Sequence, residues 1–431
     1  MCYAIAGKVE AIDTKTIVVD YFGEKKKARN ELSDLSVGDY VYVQGGYVIA
    51  KVSRHEAEES LAGWKELFFA LKETDYNLAR SPFQDTSGDS RVSRITGQAG
   101  QGKEISREDL EYLFQLSDKS QLDLLFKSAN FLRQKYHSNA CCVHGIIEIS
   151  NDCRAHCHYC GISSHNQQLK RYRMTKPEIM AAVDQAVNKY GFKALILQSG
   201  EKAYNLAELV EIVEEIKRNF AVLIFISFGD IGEPGLAQLY QAGARGMLMR
   251  FETSNPSLYK KIHPGENLAD RLKQINRAYE MGYLIITGAL IGLPGQADSD
   301  IIADILLARR LKAEMYSFGP FISHPETPFA EFPAPDEEKI LKVLAISRLS
   351  AQPEAKILVT TGFETLSSAA RQKGLSSGAS SVMLNVTPLE YRGFYSIYPH
   401  RAHEQESIET QIDDTIRLLK KLGRAPTDLG C

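Results

Sequence analysis

The chain has 431 residues, 51 Lys+Arg against 54 Asp+Glu, and is 44% hydrophobic and 24% charged. That composition is one of a folded α/β-sized protein rather than a disordered one, and a formal net charge of -3 leaves no overall basic surface for a phosphate backbone, so nucleic acid is not expected as a partner. The longest apolar runs, such as Leu284 to Leu293, hold about ten residues, half of the roughly 20 that a membrane-crossing helix needs, and no membrane partner is expected. The first eight residues carry neither a basic region nor an apolar core of an export signal, so the expected location is cytoplasmic and the seven cysteines are expected as thiols or metal ligands.

In chain order, residues 8–12, 16–21, 25–29, 39–43 and 47–50 alternate apolar and polar residues between Gly-rich turns, the pattern of a small β-barrel. Residues 56–71 then have helical apolar spacing. The run 81–103 is rich in Ser, Gly, Gln and Asp, and reads as a flexible tether. The expected organisation is therefore 1–75 a small barrel plus helix, 76–103 a linker, and 104–431 a large domain.

In the large domain, helices are expected at 106–115 and 119–136, the first opening on Ser106 followed by acidic residues. From His144 onward eight compact apolar runs (145–149, 194–197, 222–226, 247–249, 284–291, 315–318, 357–359 and 382–386) alternate with amphipathic helical stretches. Strands spaced by 25 to 50 residues with a helix in each interval predict a parallel fold, and eight such units are the number that closes a (βα)8 TIM barrel; an open doubly wound sheet is the alternative. A barrel places its chemistry where strands end, and polar residues stand there: Cys153, Gln198-Ser199-Gly200-Glu201, Arg250-Phe251-Glu252, Thr360-Thr361 and Asn385.

Cys153, Cys157 and Cys160 directly follow the first of these strands in a C-x3-C-x2-C arrangement. Three thiolates on one short loop can hold three irons of a 4Fe-4S cubane and leave the fourth iron open. Zinc would also accept them, with His156, His158 or His165 as a fourth ligand.

With Tyr159 as the aromatic residue before Cys160, the loop resembles the signature of the radical S-adenosylmethionine (SAM) superfamily. The resemblance implies that the open iron chelates SAM and that an electron from the cluster cleaves it to a 5'-deoxyadenosyl radical. It further implies that Gln198, Ser199, Gly200 and Glu201 receive the SAM ammonium, that Glu252 binds the ribose hydroxyls and that Arg271 pairs with the carboxylate. Within the superfamily the stretches 169–175, 250–256, 292–296, 319–328 and 385–388 with Tyr391-Arg392 resemble the HydE family of FeFe-hydrogenase maturases more than biotin synthase or methylornithine synthase. That likeness implies a small organometallic substrate, an iron-bound cysteine carrying diatomic ligands, anchored by Arg250, Thr360, Thr361 and Tyr391. It also implies an electron donor and other hydrogenase maturation proteins as partners. Departures are Phe251, where His is usual, and the absence of cysteines from 400–412, where some relatives hold an auxiliary cluster.

Residues 1–9 and 37–49 resemble the HypC hydrogenase chaperones. The resemblance implies that Cys2 offers a thiol and an α-amine to iron, although Ala6 and Gln44 stand where Pro and His are usual. Cys141, Cys142 and Cys431 read as structural. Two other functions fit the same residues: an amino-acid carbon-skeleton rearrangement, and a non-catalytic carrier or scaffold for an iron complex.

Overall fold

Alternation of buried and exposed side chains along the first strands rolls residues 7–52 into a closed five-stranded barrel of order β1-β2-β3-β5-β4. The structure, a computed structural model, describes residues 5–32, 34–80 and 91–429. The strands are β1 (Gly7–Asp13), β2 (Thr16–Tyr21), β3 (Glu24–Arg29), β4 (Tyr40–Gln44) and β5 (Tyr47–Val52). Val9, Val19, Tyr21, Val41 and Val48 fill the interior. Helix α1 (Arg54–Leu78), opened by the Ser53 side chain capping the Glu56 amide, lays Trp64, Phe68 and Leu71 against that barrel.

The second body is the expected (βα)8 barrel. Its strands are β6 (Ala140–Ser150), β7 (Ala194–Ser199), β8 (Leu223–Ser227), β9 (Gly246–Leu248), β10 (Leu284–Thr287), β12 (Met315–Tyr316), β14 (Lys356–Val359) and β15 (Ser381–Asn385). All are parallel neighbours, and pairing of β15 with β6 from Ser381↔Cys142 to Asn385↔Ile146 closes the ring. The run 284–291 is not one strand. Gly288 approaches the next unit so closely that a Cβ there would meet the Ser317 carbonyl oxygen at 2.2 Å, and the chain breaks into β10 and a short β11 (Leu290–Ile291) paired with β13 (Gly319–Pro320). Finally β16 (Ala425–Pro426) adds to the start of β6 from outside.

The expected linker over 76–103 needs correction. Helix α1 runs to Leu78, and near its end Asp75 is gripped in the interior by Arg133 (2.7 and 2.8 Å) and ion-paired with Arg424 (2.8 Å). Residues 91–100 form helix α2, whose Val92, Ile95 and Ala99 are built into the core of the large barrel. Ser81 to Ser90, and likewise Cys2 and Cys431, lie outside the described residues. No helix among the described residues is long and apolar enough to cross a membrane.

The small barrel sits on the floor of the large one. Tyr47 and Ile49 pack with Cys142, Ala194, Leu223 and Met315, all near the N-terminal ends of barrel strands. Tyr47 Oη donates to Gly282 O (2.9 Å), Gln44 Nε2 to Thr427 O (2.6 Å), and Arg245 Nε to Glu31 (2.8 Å). The three-cysteine loop leaves the other end of β6. Cys142 and Ser150 are eight residues apart on that strand, about 26 Å at ~3.3 Å per residue. The small barrel and the cysteine loop therefore lie at opposite ends of the large barrel, and a tethered module swinging to the barrel mouth is not the arrangement seen.

Candidate active site

Where β6 ends, Ser150 Oγ bonds the Tyr172 carbonyl and the Asp152 amide, turning the chain into the loop that carries Cys153, Cys157 and Cys160. Gly200, at the end of β7, is the place where the second strand touches this loop. A Cβ there would lie 2.0 Å from Asp152 O and 2.7 Å from Cys153 Cβ, so only glycine lets strand and loop meet. The Glu201 amide donates to Cys153 Sγ (3.3 Å), and Cys157 Sγ lies 3.4 Å from His263 Nδ1. Burial pushes all three thiols up, Cys160 to about 12, with the charge of Cys153 as the next cause.

That chemistry fits a cluster. Three half-buried thiols whose charged forms oppose one another need positive charge brought in, which iron supplies. A single zinc would draw its ligand atoms to within about 4 Å of each other. The only Cys/His/Asp/Glu group among the described residues so closely gathered lies elsewhere, at the barrel floor. His156, His158 and His165 instead pack their rings against one another, at 5.2 and 5.5 Å between centroids.

Inside the barrel mouth is a cavity of about 300 Å³, lined by Tyr159, Cys160, Gln198, Arg250, Glu252, Arg271, Thr360 and Thr361 among others. Eight of the expected site residues thus share one space. Glu252 adopts φ +64°, a strained conformation for a residue with a side chain, and sends its carboxylate inward. Arg250 Nη2 stands 2.9 Å from Glu252 Oε2 without aiming a hydrogen bond at it, and this buried oxygen has no hydrogen-bond partner in the described structure. A carboxylate at the cavity wall whose partner is the Arg250 guanidinium still has lone pairs to accept from a ligand that brings hydroxyl donors, as a ribose does.

Arg271, on the helix Leu268–Met281, reaches back between this cavity and the groove beneath the cysteine loop. Its Nε donates to Tyr259 Oη (2.7 Å) and its Nη2 to Glu266 (3.0 Å), with Glu201 4.0 Å away. Burial pushes the Glu266 carboxyl up, but hydrogen bonds and charge from His263 and Arg271 outweigh it and hold the group at about 2. Glu201 is shifted the other way, raised by burial and by the charge of Glu266. Tyr159 points its hydroxyl at His263 Nε2 (3.2 Å), so His263 braces the loop through both Tyr159 and Cys157. Ser199 turns away from the cavity and donates to Gly200 O.

Two expectations change. Tyr391 is outside the cavity: it stacks on Tyr172 in a surface groove and donates to Glu178 (2.6 Å). The tyrosines that do line the cavity are Tyr395 and Tyr398, carried by the irregular segment after β15, with Arg401 bound to Glu148 behind them. Phe251 faces the helix layer, fully buried in the apolar core, so the departure from His there leaves the cavity wall untouched.

A parallel (βα)8 barrel with a three-cysteine loop over its mouth and a carboxylate and a guanidinium at the adjoining strand ends defines the barrel type of iron–sulfur enzyme. The Radical SAM superfamily pattern matches residues 147–308, and the HupF/HypC family pattern matches 1–64. The chain is 36% identical over 325 residues to the [FeFe] hydrogenase maturase subunit HydE of Thermotoga maritima, covering 75% of this chain and 92% of that protein. It is 27% identical to a 3-methylornithine synthase of Methanosarcina acetivorans, over 76% of this chain and 91% of that one. Its fold superposes on the crystal structure of methylornithine synthase (PylB) with a TM-score of 0.69, at 23% identity, over 77% and 97% of the two chains. The chain belongs to the HydE family of radical SAM enzymes and carries a HypC-family domain at its N-terminal end.

Proposed function

We propose that the protein acts in assembly of a hydrogenase-type organometallic iron cofactor, on an iron-bound cysteine-type substrate. Cys153, Cys157 and Cys160 hold the 4Fe-4S cluster, and Gln198, Gly200, Glu201, Glu252 and Arg271 hold SAM. When bound, the pair supplies a 5'-deoxyadenosyl radical. The chain's own residues bind and orient. Arg271 exchanges part of its pairing with Glu266 for the SAM carboxylate, and Glu252, held by Arg250, receives the ribose hydroxyls. Arg250, Thr360 and Thr361 anchor the substrate on the wall formed by β9 and β14, and Tyr395 and Tyr398 close the space against water.

The observation carrying this reading is that Cys160 and Tyr159 line one cavity with Arg250 and the two threonines. A guanidinium with adjacent hydroxyls suits an anionic complex. The 36% identity to the Thermotoga maritima HydE supports the same chemistry. Gly319 adds support: its missing side chain leaves room for Arg250 Nη1 and Thr360 Oγ1, which a Cβ would crowd at 3.2 and 3.1 Å. The test is SAM cleavage by anaerobically reconstituted protein with an iron–cysteine complex or with lysine. Stimulation by the iron complex alone is expected; stimulation by lysine alone transfers the assignment to an amino-acid rearrangement, and no cleavage leaves a carrier.

A further inference from the structure

At the barrel floor, about 26 Å along β6 from the cysteine loop, a cavity of about 250 Å³ lies where the small barrel meets the large one. Cys142 and His144 are two residues apart on β6 and therefore share its inward face. Asp428, which follows β16, arrives beside them from the far end of the chain. Each is at most 3% exposed. Cys142 Sγ lies 2.7 Å from Asp428 Oδ2 and 3.3 Å from His144 Nε2, and Nε2 lies 3.6 Å from Oδ2. No other Cys, His, Asp or Glu triad among the described residues is gathered this closely.

We propose that Cys142, His144 and Asp428 bind one divalent transition-metal ion of the zinc or iron(II) class, with the inter-barrel cavity at its open fourth position. The geometry carries it first. Tetrahedral bonds of ~2.3 Å to sulfur and ~2.0 Å to nitrogen and oxygen put ligand atoms about 3.3–3.5 Å apart, and two of the three separations come within about 0.3 Å of their values. The third, from Sγ to Oδ2, opens by less than about 1 Å once the thiol proton between them is gone. Charge carries it next. A thiolate, a carboxylate and a neutral imidazole sum to the charge that a divalent ion cancels, while the neighbouring Lys356 is already paired with Glu314. Donor type favours zinc or iron(II) over calcium or magnesium, because sulfur and imidazole are poor ligands for hard cations.

The ligand nitrogen is Nε2, which faces both Cys142 Sγ and Asp428 Oδ2, while His144 Nδ1 is buried without a hydrogen-bond partner and is not a ligand. Binding is an exchange without redox change: the metal–sulfur bond forms, the thiol S–H bond breaks, and the proton leaves to solvent. Asp428 Oδ2 also accepts from the Val143 amide (3.2 Å) and the Thr427 hydroxyl (2.7 Å), so the ion ties the end of the described chain to β6. Thr427 in turn accepts from Gln44, which makes the ion a fastener between the modules.

The test uses full-length protein with its cluster reconstituted, so that Cys153, Cys157 and Cys160 are occupied, freed of loose metal and titrated with Co²⁺ alone. The wild type is expected to take up one equivalent beyond the cluster iron, with a sulfur-to-cobalt charge-transfer band and a raised unfolding temperature. Cys142→Ser should lose the band, and both Cys142→Ser and Asp428→Asn should bind roughly tenfold or more weakly with SAM cleavage retained. No extra equivalent in the wild type, or the same uptake and band in Cys142→Ser, overturns the proposal. Cys142→Ser changes one atom and keeps the test decisive should Asp428→Asn fold poorly.

Discussion

The two ends of the large barrel are built from the same strands and are opposite in character. At the mouth, strands run out into glycine-dependent and strained turns: Gly200 against Asp152, Glu252 at a positive φ, and a carboxylate oxygen without a hydrogen bond. At the floor, polar groups are mostly paired and covered, with Asp75 between two arginines and Gln44 donating to Thr427. The difference teaches how one fold divides its tasks between two ends. Polar groups left open at the mouth await ligands, and those closed at the floor hold the second domain in place. Gln44 illustrates the conversion: where HypC-like sequences carry His, this chain has a buried amide spent on docking.

The largest effect should come from the cysteine loop. Cys153→Ala, Cys157→Ala or Cys160→Ala should each abolish the cluster absorbance and the bound iron and sulfide of reconstituted protein, since two thiolates hold a cubane poorly. Retention of the cluster in all three would remove the distinction between the ends.

Arg271→Ala removes a buried cation from beside Glu266 and, in the proposed binding mode, from the SAM carboxylate. Loss of one member of such a pair costs about 2–5 kcal/mol, so equilibrium dialysis should show SAM affinity reduced by roughly 30-fold or more. Glu252→Gln should weaken binding less, because an amide oxygen can still accept one ribose hydroxyl.

Asp304 gives the mouth a pH signature. Buried behind the Glu252 turn, its carboxylate accepts from the Ser254 amide and from Gln296, yet burial outweighs these bonds and raises the carboxyl to about 7. A folded value above the unfolded one, near 3.9, means that the folded state holds the proton more tightly. Stability is therefore highest below about pH 4 as regards this group and falls as pH rises toward 7. Asp304→Asn should flatten that slope in denaturant titrations at pH 5 and 7.

At the floor, Gln44→Ala should leave Thr427 O without its donor, costing about 1–3 kcal/mol in unfolding free energy while SAM cleavage persists. Smallest of all is Tyr391→Phe. It deletes one exposed hydrogen bond to Glu178, and substrate-dependent turnover should stay within about twofold of wild type.

Much of this organisation was legible in the sequence, for identifiable reasons. All eight barrel strands lie where compact apolar runs are, because parallel strands are buried on both faces. The cysteine loop is legible from its spacing and several mouth residues from their place at strand ends, whereas Arg271, on a helix, is reached only through the family resemblance. Helix α2 was missed although Val92, Ile95, Thr96 and Ala99 follow helical spacing, since serines, glycines and glutamines dilute the pattern over only ten residues. Tyr391 comes from the family resemblance, and Tyr395 and Tyr398 carry no local signal in their irregular segment; the path of that segment over the mouth brings them to the cavity. The grouping of Cys142 and His144 with Asp428 joins residues 286 apart in sequence, which only the closed barrel brings together.

The central claim, that the mouth alone carries the radical chemistry, is tested most directly by 5'-deoxyadenosine formation from SAM under a strong reductant. Wild-type and Gln44→Ala proteins, each with its cluster reconstituted, should both form it, and Cys157→Ala should form none. Formation of 5'-deoxyadenosine by Cys157→Ala at the wild-type rate, or its loss in folded Gln44→Ala with an intact cluster, would contradict the account.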